Sequence, residues 1–239
     1  MGMTGFGFGS SSIPETSVQT FNPIMRMVYL WMTLGLAVTG VIAWVLAGTE
    51  VGLQIATNPA LLIGAVILQF VLVIGLTAGL MRLAPGVAIA MFFLYAAVTG
   101  VMFSMIFLAY DLGTIQLAFF STAGAFLAMS VVGYTTQLDL SQYRTYFIMG
   151  LIGLIVAGFV NILFKSPILD MAISMVGVVI FVALTAYDTQ KIKRMAADPA
   201  INSDGSMSMR VSIYGALSLY LDFINLFLYL LRLFGRSRR

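Results

Sequence analysis

The chain has 239 residues, of which 61% are apolar and only 9% are charged. A water-soluble domain carries about 25% charged residues, so this composition excludes a solvated surface and points to an integral membrane protein. The net charge is +3, and the absence of Cys and His excludes disulfide staples, Cys-ligated metal sites and the usual neutral-pH switch, which leaves any pH sensing to carboxylates.

Residues 1–22 are polar and Gly/Ser-rich and read as a flexible tail without a signal-peptide pattern. Seven apolar stretches follow, at about 27–47, 60–81, 86–110, 113–133, 146–164, 168–189 and 211–234. Each is long enough for a helix to cross the bilayer, so residues 23–235 form one transmembrane domain and 236–239 a basic tail. The runs are apolar on all faces and about twice the length of a barrel strand, so the spanning elements are helices. The breaks are Gly48-Thr49-Glu50, Arg82 with Pro85-Gly86, Asp111-Leu112-Gly113, Thr135 to Arg144, the tight turn Lys165-Ser166-Pro167, and a sizeable loop from Lys191 to Arg210. Gly35, Gly40, Gly75, Gly79, Gly150, Gly153 and Gly158 are candidates for close helix approach. Tyr29, Trp31, Tyr110, Tyr146, Tyr187 and Tyr214 near span ends read as interfacial belts.

Basic residues near span ends set orientation. With the N-terminus cytoplasmic, the inner side holds Arg26, Arg82, Arg144, Lys191, Lys193, Arg194 and Arg210, while the outer loops hold only Lys165. The tail resists this pattern. Seven crossings put Arg232, Arg236, Arg238 and Arg239 outside, unless the last segment re-enters without crossing.

Two carboxylates stand where lipid disfavours them. Asp222 lies near the middle of the last segment and Asp188 near the inner end of the sixth. A mid-helix carboxylate costs at least about 3 kcal/mol on insertion scales, so Asp222 needs a partner, a wet cavity or a proton. The two segments are consecutive and antiparallel, and with a seventh helix starting near Val211, Asp222 is about 16 Å along it. Asp188 reaches a similar depth if the sixth helix continues through Arg194, with its basic residues snorkelling to the headgroups. If the carboxylates meet, both cannot ionise cheaply in a low dielectric, so the pair shares a proton and offers hard oxygens to calcium. Asn225, three residues on, can supply another oxygen or orient a carboxylate. Private structural roles stay open: Asp188 as a cap or a surface partner of Lys191, Asp222 as a hydrogen-bonded tie. Arg82 is either a positive-inside anchor or a latch on the Asp site.

No hydrolase, nucleotide-binding or zinc motif is present, and the basic residues are too dispersed for a nucleic-acid surface, so neither an enzyme nor a cofactor is expected. An intramembrane aspartyl protease fits Tyr187-Asp188 but not Leu-Tyr-Leu-Asp222, which lacks that class's glycine pair. A proton-coupled transporter lacks the expected inverted repeats.

The string Ala216-Leu217-Ser218-Leu219-Tyr220-Leu221-Asp222-Phe223-Ile224-Asn225-Leu226-Phe227, then Leu230-Leu231-Arg232 and Gly235, resembles the Bax inhibitor-1 family. Tyr187-Asp188-Thr189-Gln190-Lys191-Ile192 is similar to its sixth-helix motif, and Ala118-Phe119 through Thr122-Ala123 to Phe126 more weakly to its fourth. The resemblance implies a seven-helix bundle with the last helix central. It also implies a pH-sensitive calcium leak channel, and the lack of an organelle signal together with the compact loops suits a bacterial inner membrane. Asp188 and Asp222 would be its pH sensor, gate and calcium contact, with Arg82 as the nearest match to a latch and Asn225 in support. Lipid, calcium and protons are the expected partners. The rival is a non-transporting scaffold for membrane proteins such as a protease.

Overall fold

A computed structural model describes residues 22–79 and 82–236, and they contain helices and no strands. The tail expected over 1–22 lies outside the described residues apart from Asn22, as do residues 237–239 of the basic tail.

Proline and short polar side chains decide where the helices begin. Five of the six prolines open one, since the first turn needs no N–H there. In chain order the helices are α1 (Pro23–Ala47), α2 (Glu50–Thr57), α3 (Pro59–Gly79), α4 (Pro85–Ala109), α5 (Leu112–Thr135), α6 (Arg144–Phe164), α7 (Pro167–Ala196), α8 (Pro199–Ser203) and α9 (Gly205–Arg236). A 3-10 turn, Leu140–Tyr143, precedes α6. Side-chain caps settle several starts: Asn22 Oδ1 accepts from the Ile24 N–H at 2.9 Å, and Asp111 Oδ1 from that of Thr114 at 3.0 Å. Lys165 ends α6 in the left-handed region, at φ 48°, which turns the chain straight into Pro167.

Seven of these helices, α1, α3, α4, α5, α6 with its 3-10 turn, α7 and α9, are long and apolar enough to cross a membrane. The protein is therefore an all-α membrane protein. α9 packs against α1, α4, α5 and α7, while α3 rests on α4 and α6 on α7. Half of the apolar window of α9 is buried, against 6% for α6, so the last helix is the central one. On α6, Phe159 and Leu163 are 67% and 81% exposed, as side chains facing lipid would be. The core forms along α9, where the Tyr220 ring meets Phe92 and Tyr95 edge-on at 5.8 Å and Phe223 meets Phe126 at 5.6 Å.

Three expectations change. The loop expected from Lys191 to Arg210 is mostly helix, because α7 runs on to Ala196 and α9 starts at Gly205. Lys193 and Arg194 in the last turn of α7 complement its dipole, and α8 fills the short gap. Of the expected glycines, Gly35, Gly75, Gly79 and Gly150 do meet close neighbours, Gly35 most tightly against Phe92, but the tightest backbone approach between spanning helices falls at a glycine outside that set. A Cβ on Gly133 would lie 2.2 Å from the Ala186 carbonyl oxygen, bringing α5 and α7 backbone to backbone, whereas Gly40, Gly153 and Gly158 face open space. Of the expected belt aromatics, Tyr146 is exposed at 69%, but Tyr187 packs on Phe147 and Tyr214 on Lys191, since these rings have polar or aromatic partners inside the bundle.

Candidate functional site

The site lies on the seam between α7 and α9. α7 and α9 run antiparallel, and their order along the seam follows from pairs at both ends. Near the basic end, Lys191 Nζ donates to the Tyr214 hydroxyl at 2.5 Å. At the other end, Arg232 faces Asp170 at 3.6 Å. Between them lie Asp188, one turn beyond Lys191, and Asp222, two turns beyond Tyr214.

Asp222 is 4% exposed, and its Oδ2 is buried with no hydrogen-bond partner among the described residues. The role of a hydrogen-bonded tie is therefore not filled by that oxygen. Asp188 is half-buried. The structure brings the two carboxylates within electrostatic reach of one another, with the Lys191 ammonium acting on both. Thr189, next to Asp188, also buries a hydroxyl oxygen that has no partner among the described residues. The seam is thus polar, deep among the spanning helices and incompletely hydrogen-bonded, which is where a proton or a small cation gains most from binding.

The other two expected residues stand apart from the pair. Arg82 is exposed in the connector between α3 and α4, and no ion pair joins it to either carboxylate among the described residues. Asn225 turns its amide back to its own helix, Nδ2 donating to the Leu221 carbonyl at 2.8 Å. It lines a separate cavity of about 360 Å³ between α3 and α6, with Gln69, Tyr95 and Tyr229.

Two groups of polar residues lie outside the expected set. One is Lys191, whose sequence position suits a headgroup anchor. The other is an uncharged network across four helices. Gln69 Nε2 donates to Thr99 Oγ1 at 3.0 Å, and the Tyr220 hydroxyl meets Thr39 Oγ1 at 2.7 Å. Thr39 also lies within bonding distance of the Gly35 and Ala96 carbonyls, at 3.0 and 2.9 Å. Its single proton goes to a carbonyl, so Tyr220 donates to Thr39. The signal was there to read: Thr39, Gln69 and Thr99 interrupt apolar runs at mid-span.

The acidic residues beyond the spans behave differently. Asp139 accepts from the Ser141 hydroxyl and backbone N–H and pairs with Arg194 at 2.6 Å, and these hold its carboxyl down at about 2. The backbone N–H groups of Met207 and Ser206 likewise hold Asp204 below the usual carboxylate range. A depressed carboxyl contributes stability above its unfolded value and loses it only as pH falls through the folded one. For Asp139 that loss falls near pH 2, so this residue does not respond to pH changes around neutrality.

An all-α membrane protein with a buried carboxylate seam on its central helix is the class that these observations define. The family model for the inhibitor of apoptosis-promoting Bax1 matches residues 22–239. The chain belongs to the Bax inhibitor-1 family. It is 46% identical over 226 residues to the inner membrane protein YbhL of Escherichia coli K12, covering 94% of this chain and 95% of that one. It is 42% identical over 218 residues to an uncharacterised protein of Borreliella burgdorferi, covering 91% and 93% of the two chains. An uncharacterised membrane protein of Streptococcus pyogenes, SpyM3_0260, is 38% identical over 185 residues, with 77% and 78% covered.

Proposed function

We propose that this protein is a pH-sensitive leak channel for calcium and related cations, gated by Asp188 and Asp222. Around neutral pH the pair shares a proton and holds α7 and α9 together. Deprotonation adds repulsion along the seam and loosens the closed arrangement, and cations then move down their gradient beside α9. Full protonation closes the path. Two carboxylates fall well short of the six to eight oxygens calcium takes, which suits a passing ion better than a tightly held one. Likeness to a relative named as an inner membrane protein supports the same membrane here, and the basic residues support a cytoplasmic N-terminus. No enzymatic step and no cofactor belong to this reading.

The observation that carries it is the burial of Asp222 within electrostatic reach of Asp188, deep among spanning helices. The test is calcium flux from proteoliposomes across a pH series, with wild type, Asp188→Asn and Asp222→Asn. Each substitution removes a titrating group, so the pH dependence should flatten. Wild-type pH dependence in both variants would sink the sensor. A purified wild-type protein with no cation leak at any pH would favour the scaffold reading instead.

A further inference from the structure

Three helix ends meet at the basic end of the bundle. Asn22 Nδ2, at the start of α1, donates to the Ala196 carbonyl at the end of α7 at 2.7 Å. Lys193 Nζ of α7 donates to the Tyr134 carbonyl near the end of α5, also at 2.7 Å. Between α1 and α5 runs a groove of about 290 Å³, walled by Tyr29 of α1 and by Leu127, Ser130, Val131 and Tyr134 of α5. Leu127 and Val131 are 62% and 61% exposed, so the groove opens sideways to lipid. Ser130 is only 5% exposed, and its hydroxyl oxygen has no hydrogen-bond partner among the described residues. Thr122 and Thr135 of the same helix return their hydroxyls to the carbonyl four residues back, at 2.7 Å each. Ser130 forgoes that bond, and a buried hydroxyl is costly to leave unpaired. Two cations flank the groove's mouth. The Lys193 ammonium lies 4.7 Å from the centre of the Tyr134 ring. Arg26 is exposed and stands about one turn before Tyr29 on α1. Neither joins an ion pair among the described residues, and Asp139 beyond α5 is taken by Arg194.

We propose that this groove binds one phospholipid with a negatively charged headgroup, drawn from the leaflet at the basic end. An acyl chain lies along Leu127 and Val131 between the Tyr29 and Tyr134 rings. The Ser130 hydroxyl donates to an ester carbonyl, and the phosphate faces Arg26 and Lys193. Depth supports the assignment. Ser130 is five residues from the end of α5 and Tyr29 six from the start of α1, so both lie about 7–9 Å along their helices. The interfacial layer is about 5–7 Å deep on each side of the hydrocarbon, so the hydroxyl meets the ester linkages at its inner edge. The unpaired hydroxyl also separates a lipid from other occupants. An acyl chain alone brings it no acceptor, and a docking helix has its carbonyls already bonded. Charge selects the headgroup, because two cations without carboxylate partners attract a net negative lipid, each by about fivefold. The groove is separate from the α7–α9 seam, and the proposal does not depend on the leak-channel reading.

The test titrates the purified full chain in detergent with defined lipids and reads the retained lipid by native mass spectrometry. The probes are diester phosphatidylglycerol, its diether analogue, which has no ester carbonyl, and diester phosphatidylcholine. Wild type should hold the diester phosphatidylglycerol about three- to tenfold more tightly than the diether, the worth of one net hydrogen bond. It should also prefer it to phosphatidylcholine by about fivefold or more. Ser130→Ala should bind the two phosphatidylglycerols equally and keep the preference over phosphatidylcholine. Arg26→Gln should lose about fivefold for both phosphatidylglycerols and little for phosphatidylcholine. S130A removes a hydroxyl that bonds nothing within the protein, so its lipid-free melting temperature should match or exceed that of wild type, and misfolding cannot imitate the result. Equal affinity of wild type for the diester and diether lipids would overturn the proposal, as would an S130A variant that still tells them apart. Equal affinity for phosphatidylglycerol and phosphatidylcholine would overturn the choice of an anionic lipid.

Discussion

Thr39 and Tyr220 illustrate how single hydrogen bonds act inside this bundle. Both are buried, and the phenol donates to a hydroxyl that itself bonds a carbonyl. Thr39→Val keeps the shape and removes the acceptor, which leaves the Tyr220 hydroxyl short of a partner in an apolar place. Tyr220→Phe removes that hydroxyl and leaves Thr39 its carbonyl contacts. T39V should therefore cost about 1–2 kcal/mol and Y220F less, on the scale of polar contacts between membrane helices. The double variant should cost little more than T39V alone, because the two substitutions remove the same bond. Thermal unfolding in detergent measures all three, and additive losses would show the bond to be unimportant. Asp188 and Asp222 were legible as residues because a carboxylate in an apolar run is conspicuous. Lys191 was not, since a lysine at a helix end reads as a headgroup anchor and its turn toward Tyr214 is a property of packing.

At the scale of elements, the seven apolar runs and their breaks were readable almost directly, since prolines and polar caps mark the starts. Two extensions were not readable. The ends of α7 and the start of α9 are polar, and polarity is what a loop and a solvated helix end have in common. Contact between helices was harder still. Gly133 meets the Ala186 backbone two residues before Asp188, so it fixes how α5 seats α7 beside the site. Gly133→Ala should destabilise the protein by about 1–3 kcal/mol, because a backbone neighbour cannot swing aside. Gly153→Ala, whose added methyl would meet nothing within 4 Å, should stay within about 0.5 kcal/mol of wild type. Equal melting temperatures for the two variants would show that α5 and α7 slide apart without cost.

For the whole molecule, the continuity of α9 bears on the basic tail. α9 is a single helix of 32 residues beside the 30-residue α7, and Arg232 near its end meets Asp170 near the start of α7. A segment of that length alongside its neighbour leaves no room for re-entry, and Asp170 answers part of the charge that made a crossing look unfavourable. The chain ends should therefore lie on opposite sides of the membrane. The protein lacks cysteine, so one introduced at Ser10 or at Ser237 is the only thiol present. In right-side-out vesicles an impermeant maleimide should label Ser237→Cys and spare Ser10→Cys until the membrane is opened. Labelling of both before opening would remove the seven-crossing topology.

α9 also complicates any attempt to find the proposed ion path by mutagenesis. It is at once the spine of the bundle and the helix that carries Asp222, so most of its positions will tolerate few replacements for reasons unconnected with transport. Lipid-facing positions such as Phe159 and Leu163 of α6 will accept many, whether or not ions pass nearby. A survey scored on activity alone would thus draw a map of the core and present it as a map of the pore. Only variants that keep the wild-type melting temperature while changing the proposed leak would carry information about conduction.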